Sequence, residues 1–201
     1  MTTVLKCLRY TVYGLVALIV LAIIGVLITQ RLSDGPMGPL QGGSFKTGEI
    51  VNEPVTDWSF ADGKDLEFEL VGYGTSRLTG LMVRDGDLYI PCDLGYMWGR
   101  FSGQTRLILH AIYIFKTWHE DATEDGRVIL RIDGKRYPAQ AVRVTDPALI
   151  RSLKAQLEDM ARGYVAPNEL GPAPVDEPND IWFFRVDHLL ATTLPGVIPT
   201  D

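Results

Sequence analysis

The chain opens on an unbroken apolar run. Residues 10–28 (YTVYGLVALIVLAIIGVLI) hold 16 apolar positions out of 19 and no charge. A helix rising about 1.5 Å per residue carries such a run across roughly 28 Å, close to the thickness of a hydrocarbon core. It also satisfies its own backbone there. Tyr10 and Tyr13 stand at one end, where amphipathic rings suit a membrane interface. A cleaved signal sequence has a shorter apolar core followed by small residues, and residues 28–31 (ITQR) offer no such site. The pattern therefore predicts one uncleaved transmembrane helix over 10–28, after a basic flank at 1–9. A linker covers 29–43 and a folded domain 44–201. Lys6 and Arg9 precede the helix, while Arg31 follows it with Asp34 beside it. The positive-inside rule then leaves the N-terminus in the cytoplasm and the domain outside, as for a bacterial inner-membrane protein. Residues 33–43 (SDGPMGPLQGG) contain four glycines and two prolines with no periodicity, which reads as a tether.

Beyond the tether the period changes to two. Residues 66–71 (LEFELV) alternate apolar and acidic, as a half-buried strand does. Residues 78–83 and 87–90 flank Asp85-Gly86, a strong hairpin signal. A two-residue turn sets Arg84 opposite Asp87, Val83 opposite Leu88 and Met82 opposite Tyr89, a self-consistent register. A second hairpin spans 127–132 and 135–144 around Asp133-Gly134. Here a two-residue turn would oppose Arg131 and Arg136. A three-residue bulged turn, which moves Arg131 opposite Tyr137, is the preferred reading; an anion between the arginines is the alternative. Residues 105–115 (TRLILHAIYIF) suit a buried strand or a buried helix. Thr145-Asp146-Pro147 opens a helix with Leu149, Leu153, Leu157 and Met160 along one side and Gly163 at its end. Residues 166–180 read as an acidic, proline-rich loop, and 181–186 (IWFFRV) as a late apolar strand.

Composition narrows the classes. At 46% hydrophobic, the 201-residue chain is no disordered protein, and 22% charge leaves little room for several membrane spans. The net charge is −6. Without Lys6 and Arg9 the remainder holds 17 basic against 25 acidic residues, or −8. That surface disfavours nucleic acid and repels anionic headgroups. Two cysteines exclude a disulfide scaffold. His110, His119 and His188 form no metal-binding spacing. Cys92 reads as a buried thiol, the four tryptophans as core or dimer surface, and the acidic run from 57 to 69 as a solvated face.

Three stretches carry a resemblance: residues 42–49 (GGSFKTGE) with 57–60 (DWSF); the hairpin at 80–91 (GLMVRDGDLYIP); and 116–118 (KTW) with 127–134 (RVILRIDG) and 141–147 (AVRVTDP). In this order and spacing they resemble the flavin-type split barrels, which include pyridoxamine-phosphate oxidase-like and deazaflavin-dependent nitroreductase-like proteins. The resemblance covers about residues 42–190. It implies a mainly β fold: a six-stranded Greek-key split barrel with one or two flanking helices, commonly a homodimer. FMN or a deazaflavin would lie in the dimer groove. Arg77, Arg100 and Lys116 match the positions that hold cofactor phosphate, and Tyr89 and Trp118 those that line the groove. The basic cluster of that group is thin at residues 93–103, and His119-Glu120-Asp121 adds acid. Two functions follow as expectations. One is a flavin- or deazaflavin-dependent oxidoreductase. The other is a non-catalytic ligand-binding or assembly module at the membrane that needs no cofactor.

Overall fold

The computed structural model describes residues 2–38, 40–97, 117–164, 171 and 180–190. Helix α1 (Thr2–Leu32) is continuous. Within it Arg9–Leu32, 24 residues of mean hydropathy 2.8, buries nothing against the rest of the chain and is long and apolar enough to cross a bilayer. At about 1.5 Å per residue it spans roughly 36 Å. It outruns residues 10–28 at both ends because the polar flanks contain no proline or glycine to stop a helix.

Eight strands follow among the described residues: β1 (Glu49–Ile50), β2 (Leu66–Leu70), β3 (Thr75–Thr79), β4 (Met82–Arg84), β5 (Asp87–Asp93), β6 (Arg127–Ile132), β7 (Lys135–Arg143) and β8 (Ile181–His188). Helix α2 (Trp118–Glu124) precedes β6, and helix α3 (Pro147–Tyr164) follows β7. Seven strands form one antiparallel sheet in the order β3-β2-β6-β7-β8-β5-β4, with β1 parallel to β7. The mainly β fold is as expected, while the six-stranded Greek-key split barrel is corrected to a seven-stranded half-barrel sheet. Among the described residues β3 and β4 are open edges, and the sheet is a half-barrel. Thr79 and Met82 nevertheless lie at opposite ends of the strand order. Three residues of chain reach at most about 11 Å, so the sheet must curl until two of its corners approach. Residues 105–115, the ambiguous apolar run, lie outside the described residues.

The alternation along each strand sorts side chains onto two faces. Leu66, Phe68 and Leu70 of β2, Leu88, Ile90 and Cys92 of β5, Val128, Leu130 and Ile132 of β6 and Phe184 and Val186 of β8 share the concave core. Trp58, Ala61, Trp118 and Ala122 close over it. On the convex face, α3 packs Leu149, Leu153, Leu157 and Met160 against Met82, Tyr89 and Phe183. Its start is as expected: Asp146 Oδ1 accepts the Ala148 amide at 3.0 Å, with Pro147 as first helical residue.

The first hairpin has the expected register, Arg84 opposite Asp87 and Met82 opposite Tyr89. The second does not. Arg131 stands opposite Arg136 across a two-residue turn, so the bulged reading is corrected. In both turns the Asp-Gly pair takes positive φ: 53° and 85° at Asp85-Gly86, 50° and 75° at Asp133-Gly134. That is the backbone whose twist matches the strands.

Protein carboxylates and carbonyls relieve the arginine clash. Arg131 pairs with Glu67, its neighbour on β2, and with Asp34 at 3.1 Å. Arg136 donates from Nε to the Gly48 carbonyl at 2.7 Å. Asp34, Phe45 and Gly48 thus lie on the convex face of β2, β6 and β7. Phe45 packs on Ile129 and under the Arg131 guanidinium, 4.2 Å from its ring centroid. Glu69 is buried there at 5% exposure and accepts the Phe45 amide at 2.7 Å. The acidic face of β2 is therefore covered, not solvated as its composition implied. Burial raises the Glu69 carboxyl above its ordinary range, against the pull of its hydrogen bonds and of Arg136 and Arg131.

Both ends of the expected tether also dock. Lys46 Nζ caps the end of α1 by donating to the Leu32 carbonyl at 2.6 Å. Asp34 accepts the Lys46 amide at 2.7 Å and the Thr47 hydroxyl. Gly42 bridges Ser76 on the free edge of β3, with N···O distances of 2.9 and 3.0 Å. A Cβ on Gly42 would fall 1.8 Å from the Gly35 carbonyl oxygen, so only glycine lets the two backbones cross here.

Candidate functional site

Three of the five candidate positions fall among the described residues, and they are divided between the two faces of the sheet. Arg100 and Lys116 lie outside the described residues. Tyr89 points to the convex face, 4% exposed beneath α3. Trp118 points to the concave core, 3% exposed between Phe68 and Phe184, with ring centroids at 4.9 and 5.3 Å. Within one chain these two aromatics line no common groove. Arg77 and Trp118 do come together, joined through Phe68.

Arg77 is the chemically distinctive member. In the β2–β3 register it stands opposite Phe68. Paired residues project to the same face, so a guanidinium on an edge strand is turned toward an apolar core. It sits 5.7 Å from the Phe68 ring centroid. Its Nη2 reaches Gln41 Oε1 at 3.3 Å and Thr75 Oγ1 at 3.5 Å, both neutral acceptors at long range. Its Nε is buried without a hydrogen-bond partner. Burial pushes the guanidinium down to about 10, with Asp121 and Cys92 pulling the other way. It remains a cation at neutral pH.

Other arginines show how unusual this is. Arg131 has Asp34 and Glu67, Arg127 has Asp125 at 2.5 Å and Arg185 has Asp187 at 2.9 Å. Arg77 has no ion pair with any described residue. A half-buried cation whose Nη2 meets only neutral acceptors, and which forms no ion pair among the described residues, is the arrangement that favours an incoming oxyanion.

The remaining candidates are accounted for structurally. No three His, Cys, Asp or Glu side chains converge as a metal site among the described residues. His188 lies at the edge of the Trp58–Tyr137 aromatic cluster, and burial lowers its pKa. His119 lies edge-on to Trp182, 4.7 Å between centroids, and Arg143 stacks 3.4 Å from the Trp182 ring centroid. Cys92 is buried in the core. An open groove of about 560 Å³ beside β2 and β6 is lined by Lys64, Glu67, Leu78, Arg131 and Asp133, but its cations already have carboxylate partners.

No protein-family model matches the chain, and no curated protein matches it. Sequence reasoning missed Gln41, the residue that meets Arg77. Its position in a Gly/Pro-rich stretch gave no sign that the stretch docks on β3.

A flavin's requirements are met in part. Arg77 fits a cofactor phosphate, because its Nη2 is held only by the long contacts to Gln41 and Thr75. The aromatics assigned to the ring do not fit: both are buried, one on each face of the sheet. No redox step is derived through such a group.

Proposed function

We propose that this chain is a membrane-anchored module of split-barrel type that binds a phosphate-bearing ligand, with Arg77 as the anion anchor and no chemistry of its own. The observation that carries this reading is the half-buried Arg77 guanidinium, whose Nη2 meets only neutral acceptors at 3.3 and 3.5 Å and which has no carboxylate ion-pair partner among the described residues. The long apolar α1 supports the anchor, and Lys6 and Arg9 before it support a cytoplasmic N-terminus. The docking of Asp34, Phe45 and Gly48 supports a module held at a fixed angle to that anchor. A flavin- or deazaflavin-dependent oxidoreductase is the second reading. Arg77 favours it equally; the burial of Tyr89 and Trp118 does not.

The test is a titration of the full chain in phosphatidylcholine nanodiscs with inorganic phosphate, FMN and a deazaflavin. The expected result is similar affinity for phosphate and FMN, lost at least tenfold in Arg77→Ala. FMN or deazaflavin binding about 100-fold tighter than phosphate, with a shifted visible spectrum, establishes the oxidoreductase reading instead. Absence of all binding overturns both. Repeating the phosphate titration with phosphatidylglycerol in the discs separates the sources: competition identifies a lipid headgroup, and unchanged affinity a soluble phosphate.

A further inference from the structure

Gln41 occupies a position with two distinct attachments. Its backbone belongs to the strap 41–43, which is firmly held. Gly42 and Ser76 exchange two backbone hydrogen bonds, Ser76 Oγ donates to the Gly43 carbonyl at 2.5 Å, and the Gly43 amide donates to Ser33 Oγ at 3.0 Å. Glycine is required at 42 and 43, because a Cβ would meet the Gly35 carbonyl at one and the Arg31 and Ser33 carbonyls at the other. The side chain, by contrast, is exposed, and among the described residues its hydrogen bond is the 3.3 Å contact to Arg77 Nη2.

We propose that the Gln41 amide is a displaceable plug on the Arg77 anion site, its Oε1 standing where an oxyanion oxygen of the ligand binds. This rests on the reading of Arg77 as an anion anchor and deepens it. An oxyanion adds the attraction of a full negative charge and can take two guanidinium N–H groups at once, where a neutral amide oxygen offers one weak acceptor. An incoming phosphate therefore wins the contact while the strap backbone stays in place. The amide screens the cation when no ligand is present, which a fixed carboxylate would do too well. A glutamate at 41 would close the site permanently; an alanine would leave it open. The strap is tied to the chain just beyond α1 by the Gly43 amide bond to Ser33 Oγ, so the plug is set beside the residues that join the helix to the domain.

The experiment measures inorganic phosphate binding to the full chain in phosphatidylcholine nanodiscs, by ³¹P line broadening, for wild type, Gln41→Glu, Gln41→Ala and Arg77→Ala. Affinity falls at least tenfold in Gln41→Glu and in Arg77→Ala, and rises about two- to fivefold in Gln41→Ala. The thermal midpoint of Gln41→Glu rises, since the new carboxylate pairs with Arg77, and this shows that the variant is folded. If Gln41→Glu binds phosphate as wild type does while Arg77→Ala does not, the plug is overturned and the anion site stands. If neither wild type nor Gln41→Ala binds phosphate, the anion site fails and the plug with it.

Discussion

Arg131 on β6 and Asp34, two residues beyond α1, are joined by an ion pair of 3.1 Å across 97 residues of sequence. The contact ties the apolar helix to the centre of the sheet. It also answers the repulsion that Arg136 creates on the neighbouring strand.

Arg131→Ala removes the pairs to Asp34 and Glu67 and the stacking on Phe45. Breaking a fully buried pair costs about 3–5 kcal/mol. Arg131 is 13% exposed and its partners 29–30%, so a smaller loss of about 2 kcal/mol is expected. Urea denaturation of the full chain in detergent measures it. A loss under about 0.5 kcal/mol would show that the network contributes nothing beyond a surface pair.

Asp34 imposes a pH dependence of known sign. Burial raises its pKa, but hydrogen bonds from Lys46 and Thr47 and the charge of Arg131 outweigh it, holding it down at about 2 against an ordinary 3.8. A carboxyl lowered in the folded state stabilises it above the ordinary value, and that contribution disappears as pH falls through the folded pKa. The wild-type melting temperature should therefore drop between about pH 4 and pH 2 by more than that of Asp34→Asn. Parallel melting curves for the two proteins would remove Asp34 as the cause.

Gly134 isolates the cost of backbone conformation. Its φ is +75° and a Cβ there would meet nothing within 4 Å. Gly134→Ala should lose about 1 kcal/mol through backbone strain alone. Thermal denaturation with an unchanged circular dichroism spectrum checks both parts. A neutral result would mean that the β6–β7 turn does not hold a positive φ at this position.

Much of the scaffold was legible locally. The apolar helix, the first hairpin with its register, strands β2 and β8 and the capped start of α3 rest on periodicity and turn chemistry within a few residues. The second hairpin was legible but its register was not, because the groups that let Arg131 face Arg136 come from residues 34, 45, 48 and 67. The orientation of Arg77 was equally hidden. The pattern placed a strand from 78 onward, whereas β3 starts at Thr75, and only its pairing with β2 sets Arg77 beside Phe68.

By itself the sequence determined a membrane-length helix and a β-rich, acidic domain, since hydrophobic period and Asp-Gly turns act over short range. Tertiary structure alone decided that the sheet stays open among the described residues. It placed Tyr89 and Trp118 on opposite faces and docked Asp34, Phe45 and Gly48 on the sheet. Those outcomes depend on which strands pair and which charges meet across tens of residues. The free energy of such contacts belongs to the folded arrangement and leaves no periodic trace in the chain.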